Sequence, residues 1–205
     1  ANQRMEEASD RLSENQRAFA ESHNITLLEG EKSETSEKLA VASEVSHYRN
    51  DLFLIFFKSY KQEAYMMDAI KDGDLNALVQ NRNTLKKFAG QGLTQLKELK
   101  AFKGDNSLIT ACRTALEFFQ EESEKAQASI DFFLAQENIQ KVKAAFEAKS
   151  ERSRTQDDVD LYNKAVNDYN AAVNLVNDTN KELDKRRALI IDNWKKESDM
   201  CSNSH

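Results

Sequence analysis

Proline is absent from the 205-residue chain, and glycine occurs only five times. Because proline ends helices and glycine destabilises their interiors, little in this sequence interrupts a helix. A β-sandwich or an α/β fold would need many more turn-forming residues than the chain contains. The composition therefore predicts an all-α protein, and its 40% apolar content is sufficient for a sizeable core.

Long apolar runs and basic clusters are also missing. The longest apolar run, from Leu52 to Phe57, has six residues, whereas a membrane-spanning helix needs about 20. The net charge is −6, and nucleic-acid binders instead carry a basic stripe. We therefore expect neither a membrane span nor a nucleic-acid partner. Residues 1–37 hold nine acidic and four basic residues, which makes the N-terminal segment the most acidic part of the chain.

Apolar residues recur at alternating steps of three and four along most of the chain, which is the spacing of helices that pack in a bundle. We predict an elongated up-down-up-down four-helix bundle over residues 31–200, preceded by an acidic helical arm at 1–30 and followed by a tail at 201–205. The cleanest repeat belongs to the fourth helix. It comprises Val159, Tyr162, Val166, Tyr169, Val173, Val176, Asn180, Leu183, Arg187, Ile190 and Trp194. The predicted helices are about 33–71, 74–102, 107–150 and 155–197.

The second predicted helix is too short to accompany the third and fourth along their whole length. A two-helix tip around residues 137–170 should therefore project beyond the turn at Gly73. Gly90 and Gly92 weaken the second helix, since each costs about 1 kcal/mol relative to alanine in a helix interior. We expect them to mark a kink or the close approach of a neighbouring helix.

Three stretches in the C-terminal half resemble a family of bacterial surface proteins. They are FKGDNSL at 102–108 with ALEFF at 115–119, YNKAVNDYN at 162–170, and the series Asn180, Arg187 and Trp194. The family comprises surface proteins, often lipoproteins, known chiefly from spirochaetes and Bacteroidetes and of unassigned function. The resemblance implies an exported protein whose lipid-bearing cysteine would lie upstream of Ala1. The start at Ala1 fits either a mature exported protein or a trimmed chain.

The chain has two cysteines, Cys112 and Cys201. The predicted hairpin brings the start of the third helix beside the end of the fourth, so a tail that turns back after Trp194 could join the two sulfurs. A disulfide needs Cα atoms within about 7 Å and suits an exported protein. The alternative is a small buried thiol at Cys112 and a free, exposed thiol at Cys201.

The sequence predicts no catalytic, cofactor-binding or metal-binding residues and no cofactor. Glu44 and His47 have the Glu-x-x-His spacing of a di-iron bundle, but such a site needs two of these motifs. Asp72, Asp74 and Asn76 imitate the start of a calcium loop, yet the glycine and the bidentate glutamate of that loop are missing. Turn and helix-cap chemistry explains these three residues better.

Polar residues interrupt the apolar seams at Arg82, Asn180 and Arg187. Such residues commonly fix the register between helices, at a cost in stability. The alternative is a polar pocket in the bundle core that holds a small ligand. A cavity bordered by these side chains would favour the pocket, whereas side chains that close on one another would favour register.

The apolar run from Leu52 to Phe57 is expected at mid-bundle, covered on several sides. An exposed face of this run would instead form a partner-binding patch. Together with these features, the resemblance implies a non-catalytic bacterial envelope or surface protein, periplasmic or associated with the outer membrane or cell surface. Its partner would be an unknown macromolecule, and it would meet the membrane only through a lipid anchor. A small-ligand-binding bundle is the alternative.

Overall fold

The computed structural model describes residues 2–26 and 34–203, and its secondary structure is almost entirely helical. In these two ranges there is no β-strand, and the one isolated β-bridge joins Phe102 and Asp105. The prediction of an all-α helical bundle is confirmed. The helices are α1 (Asn2–Ser22), α2 (Glu34–Asp72), α3 (Leu75–Gln95), α4 (Ser107–Lys125), α5 (Gln127–Ala148) and α6 (Gln156–Asn203), with a 3₁₀ turn at Glu151–Ser153.

The chain divides into two compact units, residues 1–41 and 42–205. In the first unit, α1 covers most of the predicted arm. It ends where Asn24 adopts a φ of 52° and the amide of Ile25 donates to the carbonyl of Ala20 at 2.9 Å. A left-handed residue just after a helix is a common C-terminal stop. Residues 27–33, which include the predicted start of the first bundle helix at about residue 33, lie outside the described ranges.

The second unit is a bundle of α2 from residue 42 onward, α3, the consecutive helices α4 and α5, and α6. Its core includes residues of the predicted seams, since Leu52, Leu85, Ala115 and Trp194, one from each predicted helix, are at most 5% exposed. It also includes residues outside those seams, such as Leu116 and Phe118. Long-range contacts show that α2 and α3 run antiparallel. Gln62 of α2 binds Asn81 of α3, whereas Lys58, one turn earlier, binds Gln91, further along α3.

The predicted second helix extended to residue 102, but α3 ends at Gln95. The chain then forms a tight turn in which Lys103 and Gly104 have φ values of 50° and 88°. Two positive φ values at the centre of a turn define type I′. Leu96 is buried outside any helix, so the apolar spacing continued past the helix end and made the predicted helix too long.

The predicted third helix, 107–150, is two helices. The interruption falls at Ala126, not near residues 136–138 where the apolar pattern shifts phase. Alanine is the strongest helix former, so the sequence gives no local signal for this break. The break coincides instead with a contact from another helix. Arg82 of α3 donates a hydrogen bond from Nε to the main-chain oxygen of Ser123 at 2.9 Å. At the C-terminus, α6 continues to Asn203, six residues beyond the predicted end at 197.

Beyond the turn at Gly73, α5 and α6 pack against each other. Gly73 lies level with Phe133, because a Cβ placed on Gly73 would be 3.8 Å from the Phe133 ring. Past this level the Phe146 and Tyr162 rings stack with centroids 4.9 Å apart. No residue between 131 and 164 is buried. The second unit therefore has the projecting two-helix tip that the helix lengths predict.

Gly90 and Gly92 offer a matched test of the packing in α3. A Cβ on Gly92 would lie 2.9 Å from Leu116 Cδ1 and 3.2 Å from Ile55 Cγ2, whereas a Cβ on Gly90 meets nothing within 4 Å. We expect Gly92→Ala to destabilise the protein by about 1–3 kcal/mol through overpacking. Gly90→Ala should stabilise it by about 0.5–1 kcal/mol. Urea unfolding followed by circular dichroism checks both, and equal effects would contradict this packing.

Candidate functional site: an ionic cluster, a groove and an aromatic face

Three helices meet at a cluster of charged side chains inside the bundle, here called the core ionic cluster: Glu63 of α2, Glu122 of α4, and Asp184 and Arg187 of α6. Arg187 pairs with all three carboxylates, and its Nε lies 2.7 Å from Glu63 Oε1. The side chains of Glu63 and Glu122 are 6% and 1% exposed, whereas that of Asp184 is 64% exposed. The cluster therefore places two fully buried carboxylates against one guanidinium.

This arrangement perturbs both buried acids. Burial, and after it the carboxylate of Glu63, raises the pKa of Glu122 to about 7. Burial also raises the pKa of Glu63, against the opposing effect of Arg187. Glu122 Oε2 is buried and has no hydrogen-bond partner among the described residues. A buried carboxyl oxygen without a donor is costly when ionised, so Glu122 is the member of the cluster that retains a proton near neutral pH.

The neighbouring positions form the same pairing on the surface. Arg186 binds Glu121 through two nitrogens, at 2.6 and 2.7 Å. Lys125 joins Glu121 to Glu182 at 3.0 and 2.6 Å. Hydrogen bonds from Arg186 and Lys125 lower the pKa of Glu121 to about 2. Two consecutive glutamates of α4 thus pair with two consecutive arginines of α6. Glu121 and Arg186 form the exposed ion pair, and Glu122 and Arg187 form the buried one.

The shifted pKa of Glu122 predicts an unusual pH dependence of stability. Between pH 4.5, the ordinary value, and about 7, the folded protein holds a proton that the unfolded chain releases. The stabilisation from this proton is fully present below pH 4.5, and it is lost as the pH rises through about 7. We expect this loss to reach about 3 kcal/mol.

Glu122→Gln removes the titrating group, so the variant should gain stability relative to the wild type as the pH rises from 5 to 8. Chemical unfolding of both proteins across this pH range measures the difference. A difference that stays constant with pH would contradict the raised pKa.

A small cavity and a larger open groove adjoin the core ionic cluster. The cavity has a volume of about 10 Å³ and is lined by Glu122, Asn180 and Arg187, among others. The groove has a volume of about 330 Å³, and it shares three lining residues with the cavity. The shared residues are Ile70, Ser129 and Asn180. The groove is otherwise lined by Phe132, Phe133, Tyr169, Val173, Val176 and Asn177.

The three polar seam residues predicted from the sequence therefore do not all lie at one site. Asn180 and Arg187 lie together at the cavity, whereas Arg82 binds the Ser123 carbonyl and the side chain of Gln127. Arg187 closes on carboxylates of two other helices, as expected of a residue that fixes register. This cavity, of about 10 Å³, has room for about one water molecule and for no larger ligand.

The outer side of α2 carries an exposed row of aromatic residues, here called the aromatic face: Phe53, Phe57 and Tyr60. Their exposed fractions lie between 39% and 44%. The rings of Phe53 and Phe57 stack with centroids 5.2 Å apart. The apolar run lies at mid-bundle as expected, but only Leu52 and Phe56 are buried. The expectation of cover on several sides is wrong, because the neighbouring helices leave the outer side of α2 open.

Both cysteines are buried, and neither is in a disulfide. Cys112 is the small buried thiol of the second alternative, but the expectation of an exposed Cys201 is wrong, since Cys201 is 5% exposed and α6 continues through it to Asn203. Both cysteines lie near Tyr48. Burial raises the pKa of Tyr48, and the charges that Cys201, Asp105 and Cys112 can carry add to this effect.

The candidate metal motifs do not assemble into a site. Glu44 and His47 are both exposed on α2. Asp74 caps α3, since its Oδ1 accepts a hydrogen bond from the amide of Ala77 at 2.9 Å, which confirms the interpretation as cap chemistry. Within residues 2–26 and 34–203, no group of three potential ligands could hold a metal ion.

The sequence contains a signal for the buried acid Glu122, although Glu122 is not among the predicted seam residues. The predicted third helix has Phe119 and Ala126 as successive seam positions, seven residues apart. A seam alternates steps of three and four, so a residue between them must also face the core. Glu122 occupies that position. Because acids are rarely buried unless paired, its presence there predicts a basic partner such as Arg187.

Comparisons with known proteins give no match: no protein-family model, no curated protein and no solved structure resembles the chain significantly. The class of the protein is therefore defined by its own structure, an all-α bundle with a buried ion cluster and an exposed aromatic face. None of the described helices combines the length and the apolar content that a bilayer-spanning helix requires.

Proposed function

We propose that this protein is a non-catalytic bacterial envelope or surface protein that acts by binding another macromolecule through the aromatic face of α2. The observation that carries the proposal is the exposure of Phe53, Phe57 and Tyr60 side by side on one helix. Aromatic residues are enriched at the centres of protein interfaces and supply much of their binding energy. Contiguous exposed rings are otherwise uncommon on soluble proteins.

The spacing of the aromatic face indicates the kind of partner. Its residues are separated by four and three positions, and Ala64, four positions further, is also exposed. This is the spacing by which one helix packs against another. The proposed occupant is therefore a helix of a partner protein, which would lie along the outer side of α2.

The envelope location is part of the proposal and rests on the resemblance in the C-terminal half. A lipid on a cysteine upstream of Ala1 would hold the protein at a membrane without a spanning helix. Mass spectrometry of the protein isolated from its native bacterium would detect such a lipid. It would also detect a Cys112–Cys201 peptide, if the two buried thiols are oxidised in the envelope. A protein found without lipid in the cytoplasm would contradict the location.

Site-specific photo-cross-linking tests the contact. A photoreactive phenylalanine analogue at position 57 should give one discrete adduct in the native bacterium. The same analogue at Leu175, which is 54% exposed on α6, should give none. Phe53→Ser should reduce the adduct at position 57, because it removes the stacked neighbour. Equal labelling at the two positions, or none at position 57, would contradict the proposal.

The second candidate function is the binding of a small ligand. The observation in its favour is the groove of about 330 Å³ beside Asn180, which falls within the size range of small-molecule sites. The body of the ligand would occupy this groove, since the adjoining cavity at Asn180 and Arg187 has room for only about one water-sized group.

A further inference from the structure

The groove adjoins a small cavity that is lined by a buried carboxyl group with one unpartnered oxygen. Its lining meets the small cavity at Ile70, Ser129 and Asn180. Glu122 lines that cavity, its side chain is 1% exposed, and its Oε2 is the carboxyl oxygen without a hydrogen-bond partner among the described residues. A hydrogen-bond donor the size of a water molecule therefore fits between the groove and Glu122.

The charges of the core ionic cluster indicate which kind of hydrogen-bond donor can bind beside Glu122. Two buried carboxylates, Glu63 and Glu122, face one guanidinium, that of Arg187. Two other charged groups adjoin them: Asp184 is largely exposed and pairs with Arg187, and Lys125 lines the cavity while its ammonium binds Glu121 and Glu182. With both acids ionised, the interior carries one uncompensated negative charge. A cationic donor balances this charge, whereas an anion is repelled.

The side chains that line the groove indicate which kind of chemical group it can hold. Its lining contains three aromatic rings and three aliphatic side chains and no charged side chain. Such a surface suits an uncharged apolar group. The nearby polar side chains of Asn177 and Asn180 lie on the α6 side of the groove.

We propose that the groove and the adjoining cavity form a binding site for a small organic amine, whose apolar body lies in the groove and whose ammonium group binds Glu122 Oε2. This inference rests on the second candidate function, small-ligand binding, and specifies its ligand class. It is independent of the contact made by the aromatic face. A metal ion does not fit, because the described residues offer no group of three ligands.

Calorimetric titration of the full chain with three related probes tests the proposal. The probes are 2-phenylethylamine, neutral 2-phenylethanol and anionic 3-phenylpropionate, at pH 8, where Glu122 is ionised. The amine should bind at least about tenfold more tightly than the alcohol, because only the amine neutralises the buried charge. The anion should show no binding.

Two variants locate the site. Glu122→Gln should weaken binding of the amine at least about tenfold, and Val173→Phe should block the groove and weaken binding of the amine and the alcohol alike. Leu175→Ser, an exposed change on the same helix, is the control and should leave binding unchanged. Circular dichroism confirms that each variant folds, and the comparison of probes on the wild type needs no variant.

The outcomes separate the two proposals. Equal affinity for amine and alcohol, or unchanged amine binding in Glu122→Gln, would overturn the assignment of an ammonium site but leave small-ligand binding in place. Binding of none of the three probes would overturn both. The cavity would then hold only water beside a protonated Glu122.

Discussion

Arg187→Met is expected to destabilise the protein by about 3–5 kcal/mol at pH 8, because it leaves two buried carboxylates without a cation. Methionine preserves the length of the side chain and much of its apolar stem, so the loss reports the charge rather than a void. At pH 5 the effect should shrink, since protonation of Glu122 then removes one of the two charges. Urea unfolding at both pH values, followed by circular dichroism, measures the change.

Arg186→Met is the matched control for this experiment. Arg186 pairs with Glu121 and Glu182 on the surface, and its side chain is 38% exposed. Exposed ion pairs contribute about 1 kcal/mol or less, so this variant should lose little. Adding Glu122→Gln to Arg187→Met should restore part of the lost stability. Equal losses in the two arginine variants would show that the cluster is not buried.

Phe56→Ala is expected to destabilise the protein by about 3–5 kcal/mol, as large-to-small changes of a buried aromatic residue do. Phe56 is 4% exposed, and its ring lies 4.4 Å from that of Trp194 and 6.1 Å from that of Phe119. The cavity should open against Trp194, the only tryptophan in the chain. Unfolding experiments measure the loss of stability, and the emission of Trp194 reports the change in its surroundings.

Phe53 provides the control on the same helix. It is 44% exposed, so Phe53→Ala should change the stability by no more than about 0.5 kcal/mol. It should also leave the emission of Trp194 unchanged. A loss comparable to that of Phe56→Ala would mean that the aromatic face is covered within the folded chain.

The spacing of apolar residues was sufficient to predict the helices and the faces they bury, because a bundle repeats one physical rule along its length. Val176, Leu183 and Trp194 are buried as the seam of the fourth predicted helix requires. The boundaries were less accurate for a specific reason. Leu96 packs into the core from outside any helix, and Ala126 breaks a helix despite its helical preference, so in both places tertiary contacts override the local pattern.

The candidate site could be predicted only in part. Arg187 was recognised as a polar break, but its partners lie on two other helices, at Glu63 and Glu122. Spacing within one helix shows which residues face inward, and it does not show which of them lie at the same level in the bundle. The sequence leaves the exposure of Phe53 and Phe57 open as an alternative for a related reason, since it depends on where the neighbouring helices leave α2 open.

The two faces of α2 have different surroundings. One face packs Leu52, Phe56 and Met66 into the core and presents Glu63 to Arg187. The other presents Phe53, Phe57 and Tyr60 to the outside. A helix that only stabilised the bundle would need the first face alone. The second face leaves about two-fifths of each ring exposed to water, which costs solubility, and this is why we assign it to a partner.

Hydroxyl-radical footprinting of the protein in intact cells and in purified form tests this assignment most directly. In the purified protein, Phe53, Phe57 and Tyr60 should be oxidised readily, whereas Phe56 and Phe119 should be protected. In cells, the three residues of the aromatic face should become protected while the exposed Met200 of α6 stays reactive. Oxidation of the aromatic face that is unchanged between cells and purified protein would contradict the proposed contact.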